Sequence, residues 1–282
     1  MELIKNYRHN DSLRQSFNKL TEMTFGFNFE NWYRLGYWRE DYVPYSMVDD
    51  GVVVANVSVN HTDFLLDGKT VRLIQLGTVM THPEYRNRGL IRQIMDAIEA
   101  DYAGSVDGVY LFANDEVLDF YPKFGFRRGR EYRYVKTINV DGPRCVEQWD
   151  MTNEDRRNAL EKAMQHTAGA FPMAGNEGLG FFYTSSFMSG CVWYAPALDA
   201  WAVGEVEGER LVLHAVYGAS TEQMIAAFGG GISRVELGYV PEDCAGYDRE
   251  EVAEEDCTFF VKGAFFETFE EKLLRIPTLS HA

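Results

Sequence analysis

Cysteine is scarce in this sequence, and its few copies lie far apart. The 282 residues include four cysteines, Cys145, Cys191, Cys244 and Cys257. No two of them are separated by two residues, as metal-binding pairs usually are, and the six histidines show no zinc-binding spacing. These absences favour free cysteines in a reducing compartment, and they predict that the chain has no metal site.

The chain also lacks long apolar runs and an excess of positive charge. No apolar run approaches the roughly 20 residues that span a bilayer, and the first residues, MELIKNYRHND, contain no apolar signal-peptide core. The formal net charge is -16, which disfavours nucleic acid and anionic membranes as partners. With 46% hydrophobic residues, the chain can still bury a substantial core. We therefore expect a folded, cytoplasmic protein.

The acidic excess is uneven along the chain. Residues 1–142 carry 17 basic and 20 acidic residues, whereas residues 143–282 carry 10 and 23. The basic residues expected to cluster around two motifs of the first half are Arg86, Arg88, Arg92, Lys123, Arg127, Arg128 and Arg130. Such a cluster would hold an anionic ligand. The acidic remainder favours a cationic substrate such as an amine, and it equally favours plain solubility.

The stretch from Arg72 to Tyr102 reads RLIQLGTVMTHPEYRNRGLIRQIMDAIEADY. Its first part, residues 73–81, is rich in apolar and β-branched residues, which predicts a strand that ends before Pro83. From Gly89 onward the apolar residues recur at helical spacing. The sequence therefore predicts a strand, a basic loop that contains glycine, and a helix.

This arrangement suits phosphate binding. The first turn of a helix has backbone N–H groups without partners and a partial positive charge. Gly89 has no β carbon, so a phosphate can approach the backbone closely. Arg86, Arg88 and Arg92 add positive charge around the same place. On these residues alone, an ordinary strand-to-helix turn with solvated arginines remains an equal alternative.

The segment THPEYRNRGLIRQIMD resembles the cofactor loop of the GNAT superfamily of N-acyltransferases, whose pattern is roughly Arg/Gln-x-x-Gly-x-Gly/Ala. Arg86 and Gly89 match this pattern, whereas Ile91 replaces its last small residue. The order Arg-x-Arg-Gly-Leu-Ile/Leu-Arg resembles the tandem acetyltransferases of the enhanced-intracellular-survival type. A second GNAT element follows, in which Asn114 precedes FYPKFGF and Tyr121 comes seven residues after it.

The resemblance implies an α+β (mixed α/β) fold with a central mixed, splayed sheet flanked by helices. Two neighbouring parallel strands would part and open a slot for the pantetheine arm of acetyl-CoA, the implied co-substrate. The implied cofactor-binding residues are Val79, Met80, Thr81, Arg86, Asn87, Arg88, Gly89, Leu90, Ile91, Arg92 and Asn114. In such enzymes a tyrosine at the position of Tyr121 protonates the departing CoA thiolate. The alternative is an ordinary core tyrosine ahead of a turn.

The second half repeats the layout of the first half faintly. Three strands and a helix recur between residues 191 and 228, and residues 258–262 predict a final strand. The arginine-rich loop does not recur, and neither do counterparts of Asn114 and Tyr121. We therefore expect a catalytic domain at residues 1–142, whose strands continue through about Val140, and a degenerate GNAT-like domain at residues 143–282. The turn sequence Asp-Gly-Pro at residues 141–143 marks the boundary.

Two further segments bear on the acceptor. Residues 25–45 are rich in aromatic side chains, and in the GNAT layout this region lies over the acceptor site. With Glu22, Glu30, Glu40 and Asp41 nearby, such a wall would suit a hydrophobic or a cationic amine. The tail reads IPTLSHA, and in the tandem acetyltransferases the carboxylate of the last residue acts as the catalytic base. The resemblance thus implies this role for Ala282, with a tail docked on the surface as the alternative.

The sequence therefore predicts an acyl-CoA-dependent N-acyltransferase that moves an acetyl group from acetyl-CoA to a primary amine. A non-catalytic acyl-CoA-binding regulatory module and a scaffold for protein contacts remain alternatives. The acceptor is left open among small molecules, peptides and proteins. Exposed strand edges favour a homo-oligomer.

Overall fold

Two β-sheets form the centre of this computed structural model, which describes residues 1–281. In that range the first sheet has eight strands, seven of them in one continuous order. The order is β1 (Glu2–Lys5), β2 (Tyr42–Asp49), β3 (Val52–Leu66), β4 (Lys69–Thr81), β5 (Gly108–Ala113), β15 (Thr258–Lys262) and β6 (Arg127–Arg128), with β9 (Met173–Ala174) paired to β3.

The second sheet has seven strands in the same range. Their order is β14 (Asp248–Glu251), β7 (Tyr132–Thr137), β13 (Arg234–Leu237), β12 (Arg210–Tyr217), β11 (Ala200–Glu207), β10 (Val192–Ala195) and β8 (Glu147–Gln148).

Seven α-helices flank the two sheets within residues 1–281. They are α1 (Asp11–Phe25), α2 (Glu30–Arg34), α3 (Leu90–Tyr102), α4 (Glu154–Met164), α5 (Glu177–Thr184), α6 (Thr221–Phe228) and α7 (Phe265–Glu271). Short 3₁₀ turns lie at Pro83–Tyr85, Asp115–Val117, Tyr121–Phe124 and Thr278–Ser280. The sequence from Glu116 to Lys123 predicts one short helix, and two of these 3₁₀ turns stand there instead.

The helix α3 begins at Leu90, as the apolar spacing predicts. It buries Leu90, Ile94 and Ile98 in one hydrophobic cluster with residues of the first sheet. The spacing of these residues explains the packing, because positions three or four apart lie on the same helix face. This packing fixes where the N-terminal end of α3 lies relative to the end of β4.

The strands β4 and β5 run side by side for only a short distance. Their parallel ladder covers Leu73–Gly108 to Gln75–Tyr110. Beyond it β4 continues to Thr81 and β5 to Ala113, and no ladder joins them there within the described residues. This parting is the predicted splay. The predicted fold class, a mixed and splayed sheet flanked by helices with a second GNAT-like part, is confirmed.

The strands do not divide between the two sheets at residue 142. The strand β7 comes from the first half of the chain but pairs with β13 and β14 in the second sheet. In return β15, from the second half, lies between β5 and β6 in the first sheet. The expectation that the strands up to Val140 complete the first domain is therefore wrong for β7. The division into residues 1–142 and 143–282 itself stays a prediction.

The hydrophobic core also joins the two halves. One buried cluster contains Phe64 and Tyr110 from the first sheet, Leu213 and Leu237 from the second sheet, and Phe266 of α7. None of the helices within residues 1–281 is both long and apolar enough to cross a bilayer. In the same range, no group of three or more His, Cys, Asp or Glu side chains is placed to hold a metal ion.

Candidate active site

A cleft of about 1040 Å³ opens where β4 and β5 part. Its floor and walls bring together the ends of both strands, the loop before α3 and the two turns that follow β5. Every residue predicted to bind the cofactor lines this cleft, and so does Tyr121. These residues are Val79, Met80, Thr81, Arg86, Asn87, Arg88, Gly89, Leu90, Ile91, Arg92 and Asn114.

The N-terminal end of α3 faces this cleft with its backbone donors free of a side-chain cap. Gly89 is the N-cap residue, and no side chain accepts a hydrogen bond from the first turn within the described residues. Its φ of 72° lies in the left-handed region, which glycine adopts without the strain that a β carbon brings. An uncapped helix end with free N–H groups is a site for an anion such as phosphate.

The corresponding helix of the second half lacks this feature. Like α3 after β4, α6 follows the strand β12 and precedes a strand parallel to it. The Ser220 side chain accepts a hydrogen bond from the N–H of Gln223, and the Gln223 side chain accepts one from the N–H of Ser220. This capping box satisfies the helix end internally. The second half therefore lacks the arginine-rich loop, and the helix at the equivalent position also has no free N-terminal end.

The three arginines near Gly89 are exposed, and none forms an ion pair with another residue of the described chain. Arg88 donates to the carbonyl of Glu84 over 2.7 Å and lies over the ring of Tyr85. Arg92 lies over the ring of Phe124, with 4.9 Å to the ring centre. Their positive charge is thus available to an anion in the cleft.

The predicted basic cluster is only partly formed. Lys123 lines the cleft together with the three arginines, as predicted. Arg127, Arg128 and Arg130 lie outside its lining, so their inclusion in the cluster is wrong. Arg127 and Arg130 instead pair with Glu270 of α7, whose carboxylate lies within 2.5 Å and 3.8 Å of them.

A β-bulge shapes the wall of the cleft formed by β4. This strand has one extra residue between the pairs Asn56–Met80 and Ser58–Gly77, and Thr78 in that bulge has a φ of 49°. The buried Asn56 amide donates to the carbonyl of Thr78 over 2.9 Å and fixes the bulge. A glycine inside a predicted strand is the sequence signal for a bulge, and Gly77 supplies it here.

Asn114 and Tyr121 lie on the opposite wall of the cleft. The Asn114 side chain is exposed and has no hydrogen-bond partner within residues 1–281. Tyr121 is 5% exposed, and no group of the described chain hydrogen bonds to its hydroxyl. Burial raises the pKa of Tyr121 to about 12, so the hydroxyl stays protonated at neutral pH.

The second half of the chain contributes to this site through residues that the sequence did not single out. The ring of Phe260, on β15, packs 5.6 Å from the ring of Tyr121. Leu179 and Phe182 of α5 line the cleft. Their apolar spacing predicts a buried helix face and carries no signal of which surface that face covers.

The tail reaches the same region of the first sheet. The hydroxyl of Tyr110 donates to the carbonyl of Ser280 over 3.0 Å, and the hydroxyl of Tyr183 donates to the carbonyl of His281. The ring of His281 stacks on Phe112, which lines the cleft. Ala282, the residue whose carboxylate the resemblance implies as the base, lies outside the described residues.

The four carboxylates predicted beside the acceptor site do not line the cleft. Glu30 contacts Arg14 and Arg34 at 3.2 Å each. Glu40 pairs with Arg8, and this hydrogen bond lowers the pKa of Glu40. These ion pairs hold the two acids, and neither acid reaches the lining of the cleft. The expectation that the carboxylates stand ready for a cationic amine is not met.

Residues 7–129 match the protein family described as the acetyltransferase (GNAT) domain. A structure from Enterococcus faecalis V583, described as a probable N-acyltransferase, matches with a TM-score of 0.59 and 13% identity, over 96% of this chain and 74% of that chain. Eis1 from Mycobacterium abscessus matches with a TM-score of 0.50 and 12% identity, over 82% and 70%. A GCN5-related N-acetyltransferase from Kribbella flavida matches with a TM-score of 0.52 and 15% identity, over 92% and 70%.

At these identities the structural similarity concerns the fold. Comparison with curated proteins found no sequence match. The family match spans most of the first sheet and every predicted cofactor residue, so the GNAT resemblance read from the sequence is confirmed. The match with Eis1 concerns the fold, and the two sheets fit a tandem GNAT arrangement.

Proposed function

We propose that this chain, whose residues 7–129 match the acetyltransferase (GNAT) domain family, transfers an acetyl group from acetyl-CoA to a primary amine. One observation carries the proposal. The cleft between the parted ends of β4 and β5 contains the N-terminal end of α3, three arginines and the buried hydroxyl of Tyr121. Within residues 1–281 the helix end has no side-chain cap, the arginines have no ion pair, and the hydroxyl has no hydrogen-bond partner.

The residues of the cleft fit the two ends of an acyl-CoA. The N–H groups at the start of α3 and the charges of Arg86, Arg88 and Arg92 suit a pyrophosphate. The backbone of residues 79–81, which has no ladder to β5, suits the amide groups of a pantetheine arm. Asn114 offers a free side-chain amide to the same arm from the other wall.

The chemical step needs a donor at the departing sulfur and an acceptor for the proton of the amine. The amine nitrogen forms a bond to the acetyl carbon while the bond from that carbon to sulfur breaks. Tyr121 holds its proton at neutral pH and donates it to the thiolate. A backbone N–H of Met80 or Thr81 polarises the carbonyl. The carboxylate of Ala282 takes the proton of the ammonium.

The first test is a thiol-release assay with acetyl-CoA and a panel of amines, run on the protein and on its Tyr121→Phe variant. The variant keeps the ring that packs on Phe126 and Phe260, so the fold is retained while the proton donor is lost. We expect turnover to fall about 100-fold or more, with unchanged affinity for CoA in calorimetry.

The matched control is Tyr194→Phe, which removes a hydroxyl that donates to Asp199 away from the cleft. This variant should keep full turnover. Acetyl-CoA binding without turnover on any amine would instead support a non-catalytic binding module. Equal turnover of Tyr121→Phe and the unaltered protein would remove Tyr121 from the mechanism.

A further inference from the structure

A row of aromatic rings leads from the cleft to the protein surface. We call Phe25, Phe27, Phe29, Phe182 and Phe187 the aromatic mouth. Neighbouring rings in this group have centroids 5.3 to 6.1 Å apart. Phe25, Phe27, Phe29 and Phe182 line the cleft, and Phe187 lies just outside that lining. Phe25 and Phe187 are 42% and 61% exposed. Large apolar side chains that stay exposed next to a cleft mark a binding surface.

Both halves of the chain build this mouth. Phe27 comes from the loop after α1, and Phe187 comes from the segment after α5. Their rings meet edge to face with centroids 5.4 Å apart. None of the five phenylalanines belongs to the cofactor loop, to α3 or to the turns after β5, so we assign the aromatic mouth to the side where an acceptor enters.

No charged side chain of residues 1–281 lines the cleft on the side of the aromatic mouth. The charged residues that line the cleft within residues 1–281 are Arg86, Arg88, Arg92, Glu116 and Lys123. All of them belong to the cofactor loop, to α3 or to the turns after β5. The lining residues on the side of the mouth are Thr24, Phe25, Phe27, Phe29, Trp32, Tyr42, Leu179 and Phe182.

An amine with several positive charges would find no partner in such a wall. A second ammonium placed among phenyl rings loses its hydration without a carboxylate to compensate. An amine with a single ammonium does not carry this cost of an uncompensated second charge. It can rest on the faces of aromatic rings before it is deprotonated, and its body can bury apolar surface against the mouth.

We propose that the acceptor is a monoamine carried on an aromatic or similarly apolar body, and that the aromatic mouth, with Phe187 at its rim, selects it over polyamines and aminoglycosides. This inference rests on the proposed acetyl transfer. It narrows the acceptor to one class and assigns a specificity-determining role to a residue of the second half.

The test compares amines that differ in charge, and thiol release with acetyl-CoA is measured for two pairs. Hexylamine and 1,6-diaminohexane share a six-carbon body, and 2-phenylethylamine is compared with the polyamine spermidine. We expect kcat/KM to be at least about tenfold higher for the monoamine of each pair, because the second charge has no partner in the mouth. A preference for 1,6-diaminohexane or spermidine would overturn the inference and leave acetyl transfer established.

The variant Phe187→Ala tests the mouth directly. Its ring contacts the rings of Phe27 and Phe182 and is 61% exposed, so the variant should fold. We expect KM for 2-phenylethylamine to rise about 3- to 10-fold, with kcat and KM for acetyl-CoA unchanged. The matched control is Leu65→Ala, which truncates a side chain that is 42% exposed on β3 outside the cleft and should change neither constant.

Two other outcomes would contradict the inference, and the experiments distinguish them from each other. If Phe187→Ala changes KM for octanoyl-CoA and leaves KM for every amine unchanged, the mouth binds an acyl chain and the inference is wrong. If acetyl-CoA binds but no amine of either class is acetylated, the proposed function fails and the inference fails with it.

Discussion

The imidazole of His281 stacks on the phenyl ring of Phe112, with ring centroids 3.8 Å apart and planes 21° apart. Phe112 lies on β5 in the first sheet, while the carbonyl of His281 accepts a hydrogen bond from Tyr183 in the second half. Burial lowers the pKa of His281, so the ring is neutral at pH 7. The tail is therefore held beside the cleft by groups from both halves of the chain.

Because the tail is held beside the cleft, the role of its terminal carboxylate as the catalytic base can be tested. If the carboxylate of Ala282 accepts the proton of the amine, then adding Gly-Ser-Gly after Ala282 moves the carboxylate away. We expect turnover to fall about 100-fold or more, in line with the loss of a general base. Thiol release checks the turnover, and calorimetry should show unchanged affinity for CoA.

The control for the tail experiment is the same three residues added before Met1, whose amino group lies on the surface 3.6 Å from Asp49. That addition should leave turnover unaltered. Full activity of the protein extended at its C-terminus would exclude the terminal carboxylate as the base.

The proposed phosphate site can be tested by placing a negative charge at Gly89. The variant Gly89→Glu places a carboxylate at the positive end of α3, where it competes with a pyrophosphate for the same N–H groups and arginines. A β carbon at this position would meet no atom within 4 Å, so the fold has space for the new side chain. We expect the dissociation constant of CoA, measured by calorimetry, to rise at least about tenfold.

Gly104 provides a matched control for that experiment. It has a φ of 71°, against 72° for Gly89, and its β carbon would also meet nothing within 4 Å. Gly104→Glu therefore brings the same backbone strain, beyond the other end of α3. Weakened CoA binding in both variants would point to strain in α3, whereas weakening in Gly89→Glu alone supports the anion site.

The pKa of Tyr121 fixes the expected pH profile of the reaction. A pKa raised to about 12 favours the protonated form, so the donor remains intact throughout the range in which the amine loses its proton. We expect kcat/KM to rise between about pH 6 and pH 9, with no loss from ionisation of Tyr121 below about pH 11. A falling limb with an apparent pKa near 10, absent in Tyr121→Phe, would contradict this assignment.

Local patterns predicted the parts of the site that lie close together in sequence. Leu90, Ile94 and Ile98 recur on one helix face, and Pro83 and Gly89 mark the loop before it. Asn114 and Tyr121 follow the next strand. Because a βαβ unit brings the ends of its two strands to one sheet edge, these short-range signals sufficed to bring both motifs to one cleft.

The exchange of β7 and β15 could not be predicted in this way. The apolar residues of β15, such as Phe260, predict a buried strand, yet periodicity does not specify which sheet edge a strand joins. The same holds for Phe182 and Phe187, whose partners lie more than a hundred residues away in the chain. Long-range partners are decided by packing in the folded protein, which a single sequence does not display.

The strand exchange predicts that residues 1–142 do not fold by themselves. In that fragment β5 loses the neighbour with which five of its residues pair, from Val109–Lys262 to Ala113–Thr258. Tyr121 loses the ring of Phe260, and β7 has neither of its partners. We expect the fragment to lack a cooperative unfolding transition in urea, followed by near-UV circular dichroism, and to show no CoA binding in calorimetry.

The two fragments 1–142 and 143–282, produced together, provide the control. Every strand pair is then present again, and only the connection at Gly142 is broken. We expect the fragments to associate and to recover CoA affinity, because the pairing of β15 with β5 and of β7 with β13 holds them together. Cooperative unfolding and CoA binding by residues 1–142 alone would mean that the exchanged strands are dispensable to the first sheet. Residues 1–142 would then be sufficient to form the cleft.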